Sequence, residues 1–139
     1  MADLYANFLE LWGLAYLGDL SKYMYKADLY SIVFFVMLLL PLVVWVFYYK
    51  VIDNIKLARV STWMIILAVV FVLTGLFSYI FSYTEVIDYL HQHNITRYSI
   101  SYGDIFTLSL IASLWSVVFS IISSWVFKNL SIKCRNIPF

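Results

Sequence analysis

The distribution of apolar residues divides the chain into three long uncharged runs and an N-terminal part of different character. The runs cover residues 31–49, 61–83 and 105–127. At about 1.5 Å per residue, a helix of about 20 residues crosses a hydrocarbon layer about 30 Å thick. None of the runs alternates between apolar and polar residues as a membrane strand does, and a helix satisfies its own backbone in lipid. The pattern predicts an all-α membrane protein with three transmembrane helices.

The N-terminal part has one polar and one apolar side. Asp3, Asn7 and Glu10 recur at helical spacing, and apolar residues occupy the opposite side. This pattern is typical of an amphipathic helix that lies in the membrane interface. We expect such a helix to precede the first span and to end at Gly18 and Asp19. Its Glu10 is the candidate for contact with a partner or with the mouth of a pore.

The basic residues predict the domain boundaries and the orientation. We expect an amphipathic segment (residues 1–30), a transmembrane domain (31–127) with an external loop (84–104), and a basic tail (128–139). Six of the nine basic residues lie in the first loop and the tail: Lys50, Lys56, Arg59, Lys128, Lys133 and Arg135. Basic residues concentrate on the cytoplasmic side, so we expect the C-terminus inside and the N-terminus outside. We expect the inner membrane of a bacterium, with an organellar membrane as the alternative.

Composition supports a lipid environment and excludes several protein classes. The 139 residues, enough for one domain, are 64% hydrophobic and 12% charged, whereas soluble domains carry about 25% charged residues. The net charge of +1, without a cluster of basic residues, argues against nucleic-acid binding. A single cysteine, Cys134, excludes a disulfide scaffold within the chain.

The third run carries five serines at alternating spacings of four and three residues. They are Ser109, Ser113, Ser116, Ser120 and Ser123. Helices in lipid associate through close packing and short hydrogen bonds, and small residues permit both. We predict that these serines form a helix-packing seam, called the serine seam below. Two alternatives are a polar lining for a water-filled pore and hydroxyls that bond to carbonyls of their own helix.

The second run contains a weaker small-residue pattern. Ala68, Gly75 and Ser82 repeat every seven residues, and Ser78 occupies the intermediate position. The second and third runs follow each other in the chain, so we expect them to be antiparallel neighbours. In the simplest arrangement both patterns pack against each other inside one subunit. In the rival arrangement the serine seam joins copies of the chain around a symmetry axis.

Two further positions predict local geometry. Pro41 lies inside the first run, where it removes one backbone hydrogen bond, so we expect a helix kink there. Gly103 and Asp104 precede the third run, and we expect them to form its turn and N-cap.

No residue pattern indicates catalysis or a bound cofactor. Glu85, Asp88, His91 and His93 are the clustered metal-ligand types, but their spacing does not fit a closed tetrahedral zinc site. The chain has none of the motifs of nucleophilic hydrolases, P-loop proteins or zinc proteases. No predicted span contains a histidine for axial ligation of haem. We therefore expect no catalytic residue, no metal and no cofactor.

These observations favour a non-enzymatic integral membrane subunit with a structural or assembly role in a larger membrane complex. Its expected partners are the lipid bilayer and other membrane-protein subunits or copies of itself, and not nucleic acid. The alternative is a small homo-oligomeric pore, such as a channel, a holin-like protein or a membrane-permeabilising effector. In that case the serine seam would line the pore.

Overall fold

The protein is helical, and no strand occurs in the part of the chain that the structure describes. The structure, a computed structural model, describes residues 2–11, 13, 15, 17–52, 59–93 and 100–128. Its elements in chain order are α1 (Ala2–Leu9), α2 (Asp19–Lys26), α3 (Leu29–Val46), a π-helix (Phe47–Ile52), α4 (Val60–Gln92) and α5 (Tyr102–Phe127). Within the described residues, three helical segments are long and apolar enough to cross a membrane: Leu29–Lys50, Val60–Gln92 and Tyr102–Phe127. The predicted fold class is confirmed.

The N-terminal segment forms two short helices where the sequence predicted one. The backbone takes left-handed φ angles at Leu11 (49°), Gly13 (87°) and Gly18 (60°). Such angles cannot continue a right-handed helix, so α1 ends at Leu9 and the next helix begins only at Asp19. Helix α2 is amphipathic: it buries Leu20, Ser21 and Met24 and exposes Lys22, Tyr25 and Lys26.

Helix α4 is longer than its apolar run. It continues to Gln92, nine residues beyond the predicted end at Tyr83. Val86 and Leu90 are buried and extend the four-residue spacing of its buried face, so the helix gains packing there although its composition turns polar. The helix therefore extends into the loop predicted at residues 84–104.

Helix α5 begins at Tyr102, before the predicted turn and N-cap. Gly103 and Asp104 lie inside its first turn, and the cap is Ser101. The Ser101 hydroxyl accepts a hydrogen bond from the Gly103 amide at 3.2 Å, and the Ser101 carbonyl accepts one from the Asp104 amide at 3.0 Å. A serine at this position satisfies an amide that has no partner within the helix.

Helix α3 runs through the buried Pro41 and ends in a π-helix. The kink expected at Pro41 stays a prediction. In the π-helix, hydrogen bonds join residues five apart, and Tyr48 and Tyr49 are both buried although they are adjacent. This turn therefore supplies two neighbouring aromatic side chains to one core.

The chain divides into two compact units. The first comprises Met1–Val36 and Gly75–Ala112. In it, Tyr5 and Phe8 pack on Phe34, and Tyr23 contacts Tyr89.

The second unit comprises Met37–Thr74 and Ser113–Phe139. Its core consists of the buried residues Trp45, Tyr48, Tyr49, Trp63 and Leu67, together with the partly buried Ile66, Val117 and Phe127. Aromatic side chains from α3 and its π-helix therefore pack here against both other long helices.

Candidate functional site

All five serines of the serine seam are buried within the single chain. Their exposed fractions are at most 5%. Large apolar residues of the same helix, Leu110, Leu114, Val118 and Ile121 among them, are exposed instead. Helix α5 thus directs its hydroxyls inward and its aliphatic side chains outward, which is the arrangement that lipid favours.

The hydroxyls of Ser109 and Ser116 bond to carbonyls of their own helix. The hydroxyl of Ser109 donates to the carbonyl of Phe106 at 2.8 Å, and that of Ser116 donates to the carbonyl of Ser113 at 2.7 Å. Ser120 differs, because its buried hydroxyl has no hydrogen-bond partner among the described residues. Small size is therefore the property that all five share, while hydrogen bonding differs from one to the next.

The small residues of α4 do not share one face. Ser78 and Ser82 are buried, Gly75 is half-buried and Ala68 is exposed. The buried face of this helix instead consists of Trp63, Leu67, Val70, Thr74, Ser78, Ser82, Val86 and Leu90. Ala68 therefore lies away from the buried face of α4, and its role in helix packing stays a prediction.

The divergence has a geometric reason. Residues spaced by four advance around an α-helix in one direction, whereas residues spaced by seven drift by about 20° in the other. The line of buried residues and the line of small residues therefore separate. They meet at Ser82 and lie on different sides of α4 at Ala68.

A hydrogen-bonded node joins all three long helical segments in the second unit. The Trp63 indole Nε1 donates to the Ser124 hydroxyl at 2.8 Å, and the Tyr49 and Ser124 hydroxyls lie 2.8 Å apart. Ser124 is 0% exposed. This residue was not predicted, because it falls outside the four-three spacing of the serine seam. The sequence did offer one signal for it. Ser123 and Ser124 are adjacent, and two of the spans have ends that contain tryptophan and tyrosine.

Glu10 is engaged within the chain. It is half-buried, and its carboxylate accepts a hydrogen bond from the hydroxyl of Tyr30, which is 1% exposed. In the same unit the Tyr25 hydroxyl donates to the Asp3 carboxylate at 2.8 Å. This hydrogen bond, together with the negative charge of Asp3, raises the pKa of Tyr25 above its usual value. Two carboxylate–tyrosine pairs therefore hold α1 and the turn after it against α2 and the start of α3.

The metal-ligand types near the end of α4 do not come together. Within the described ranges, no three side chains of His, Cys, Asp or Glu are grouped so as to hold a metal ion. His93 instead lies against Tyr89, with its Nδ1 3.0 Å from the Tyr89 carbonyl. Lys56, Arg97 and the tail from residue 129, including Lys133, Cys134 and Arg135, lie outside the described residues.

A cavity of about 410 Å³ lies between the end of α4 and the beginning of α5. Its walls are aliphatic except for Tyr83, Tyr102 and His91, and the rings of the two tyrosines stack at a centroid distance of 6.0 Å. The described residues of its lining include no carboxylate and present few polar groups. No protein-family model, no curated protein and no solved structure matches the chain.

Proposed function

We propose that the protein is a non-enzymatic integral membrane subunit with a structural or assembly role in a larger membrane complex. The observation that carries this proposal is the uncovered face of α4. Only 22% of the most apolar stretch of α4 is buried, compared with 44% for α5. Helix α4 is thus the long helix that its own chain covers least.

The uncovered face of α4 includes a small residue. Ala68 is exposed and Gly75, seven residues further, is half-buried. Lipid chains gain little from a small side chain, whereas a second helix can approach closely where the side chains are small. A transmembrane helix of another subunit, or of a second copy, fits this surface.

Burial of the serine seam favours assembly over a pore. A homo-oligomeric pore would need the five serines to face a lumen between copies, but each is at least 95% buried inside one chain. Glu10, the residue considered for a pore mouth, accepts a hydrogen bond from Tyr30. The outward faces of the long helices carry large apolar residues such as Val43, Ile65 and Trp125, which suit contact with lipid.

The test is Ala68→Leu in protein purified in a mild detergent. We expect the variant to lose a stoichiometric partner or the self-associated state, because leucine holds the second helix away, while the exposed position leaves the fold intact. The control is Thr107→Leu, which places the same leucine side chain at an exposed position of α5. A wild-type protein that is monomeric and copurifies with nothing at several detergent concentrations would overturn the proposal.

The orientation is part of the proposal and has its own test. In a Cys134→Ser background, Gln92→Cys should react with a membrane-impermeant thiol reagent on intact cells. Val60→Cys, at the other end of the same helix, should react only after lysis. The reverse pattern would place the N-terminus inside and contradict the distribution of basic residues.

A further inference from the structure

The N-terminal helices and the first turn of α3 border an open cavity of about 330 Å³ that belongs to one compact unit. Its lining includes Glu10, Lys22, Tyr25, Lys26 and Tyr30. Tyr30 is the second residue of α3, the first helix long enough to cross a membrane. A cavity beside the first turn of a spanning helix lies at the level of the lipid head groups, where tyrosines are also enriched.

The cavity offers charges of both signs. One carboxylate oxygen of Glu10, Oε1, accepts the hydrogen bond from Tyr30, and the other accepts none from the described residues. Lys22 forms an ion pair with Asp19 at 2.9 Å. Lys26, one turn further along α2, is exposed and makes no ion pair in the part of the chain that the structure describes. One free acceptor and one free cation therefore border the same space.

We propose that this cavity binds the head group of a phospholipid that carries both a phosphate and a primary ammonium group, as in phosphatidylethanolamine. The ammonium group would donate hydrogen bonds to Glu10, and the phosphate would contact Lys26. Charge-assisted hydrogen bonds of this kind are about twice as strong as neutral ones. Two opposite charges that line one cavity match the dipole of a zwitterionic head group.

Two competing head groups fit less well. The N-terminal 30 residues contain four acids, Asp3, Glu10, Asp19 and Asp28, and two bases, Lys22 and Lys26. This negative excess opposes a head group with net negative charge, such as phosphatidylglycerol. A choline group carries a positive charge but has no N–H to donate, so it cannot form the hydrogen bond to Glu10.

The test measures lipid binding to the full chain in detergent by native mass spectrometry. The probes are phosphatidylethanolamine, phosphatidylglycerol and phosphatidylcholine with identical acyl chains. We expect the first to bind most tightly. Glu10→Gln should weaken its binding about tenfold, the size expected for a half-buried hydrogen bond to a charged group. Lys26→Gln should weaken it about threefold, because an exposed charge contributes less.

Two controls separate specific binding from other effects. Glu85→Gln and Lys50→Gln remove exposed charges outside the cavity and should leave the affinity unchanged. Glutamine at position 10 still accepts the Tyr30 hydrogen bond, so the fold should persist, and an unchanged melting temperature checks this. Lys26 is exposed, so its variant tests the proposal even where Glu10→Gln is unstable.

Several results would overturn the proposal. These are equal binding of the three lipids, a preference for phosphatidylglycerol or phosphatidylcholine, and wild-type affinity of both cavity variants. Soluble O-phosphoethanolamine should bind far more weakly than the lipid, because it lacks the acyl chains that hold the head group beside the spanning helix. Equal affinity for the soluble compound would indicate a metabolite site instead of a lipid site.

Discussion

The Ser124 node is a set of polar contacts in the described core. Its removal should lower the free energy of unfolding by an amount that follows from its two partners. Ser124→Ala deletes one oxygen atom and with it the 2.8 Å hydrogen bond from Trp63 and the 2.8 Å contact with Tyr49. Alanine fits the same space, so the packing of the neighbouring aromatic rings is retained. The change therefore isolates hydrogen bonding from volume.

The expected cost follows from the two partners. A hydrogen bond between membrane helices contributes about 0.6 kcal/mol on average and up to about 1.7 kcal/mol. The variant also leaves the indole N–H of Trp63, a residue 8% exposed, without its acceptor, and an unsatisfied buried donor costs about 1–3 kcal/mol. We expect Ser124→Ala to lower the free energy of unfolding by about 2 kcal/mol.

The matched control is Ser120→Ala, one turn earlier on the same helix. Ser120 is 0% exposed like Ser124, but its hydroxyl has no partner among the described residues. Removing an unpaired buried hydroxyl should be neutral or slightly stabilising. Both free energies can be measured by titrating the protein from mild detergent into sodium dodecyl sulfate, with tryptophan fluorescence as the signal. Equal unfolding midpoints for the two variants would refute the reasoning.

The remaining predictions concern the serine seam and the N-terminal segment. Ser116→Leu should lower the unfolding free energy by about 1–3 kcal/mol through overpacking, because Ser116 is 0% exposed, whereas Ser116→Ala should be mild; identical melting curves in detergent would contradict close packing. Asp3→Asn should lower the pKa of Tyr25 towards its usual value, because the hydrogen bond and the charge that favour the neutral phenol are weakened. The raised pKa means that this interaction stabilises the fold at neutral pH and is lost as the pH rises through that pKa. Difference titration of tyrosinate absorbance against Tyr25→Phe measures this shift, and an unchanged titration would contradict it.

Hydropathy predicted the spanning helices because lipid imposes one dominant requirement, an uncharged run of sufficient length. It underestimated the length of α4. The helix continues past Glu85 and Asp88 because tertiary packing buries Val86 and Leu90. It also extended the first N-terminal helix to Gly18 and did not predict the helix at Asp19–Lys26. Periodicity does not detect the positive φ angle of Leu11, which has an ordinary side chain for a helix.

The candidate site was less predictable than the fold. The five serines share a strict spacing, and the structure buries all of them. Ser124 breaks that spacing, and its importance comes from Tyr49 and Trp63, which are 75 and 61 residues distant in sequence. Ala68 followed a repeat that was regular in sequence but drifted away from the buried face of its helix. Spacing along one helix indicates a shared face, whereas the identity of the partner requires the tertiary structure.

The π-helix at Phe47–Ile52 gives α3 a tolerance for changes in chain length. A π turn holds one residue more than an α turn, so deletion of the exposed Lys50 would allow ordinary helical hydrogen bonds to form there. Trp45 precedes the π-helix and would keep its position, and Tyr48 and Tyr49 would shift only as far as the tightening of this one turn requires. The same deletion in the middle of α3 would rotate every following side chain by about 100° and turn that aromatic group out of its core. An insertion or deletion in the first span is thus best accommodated at this turn.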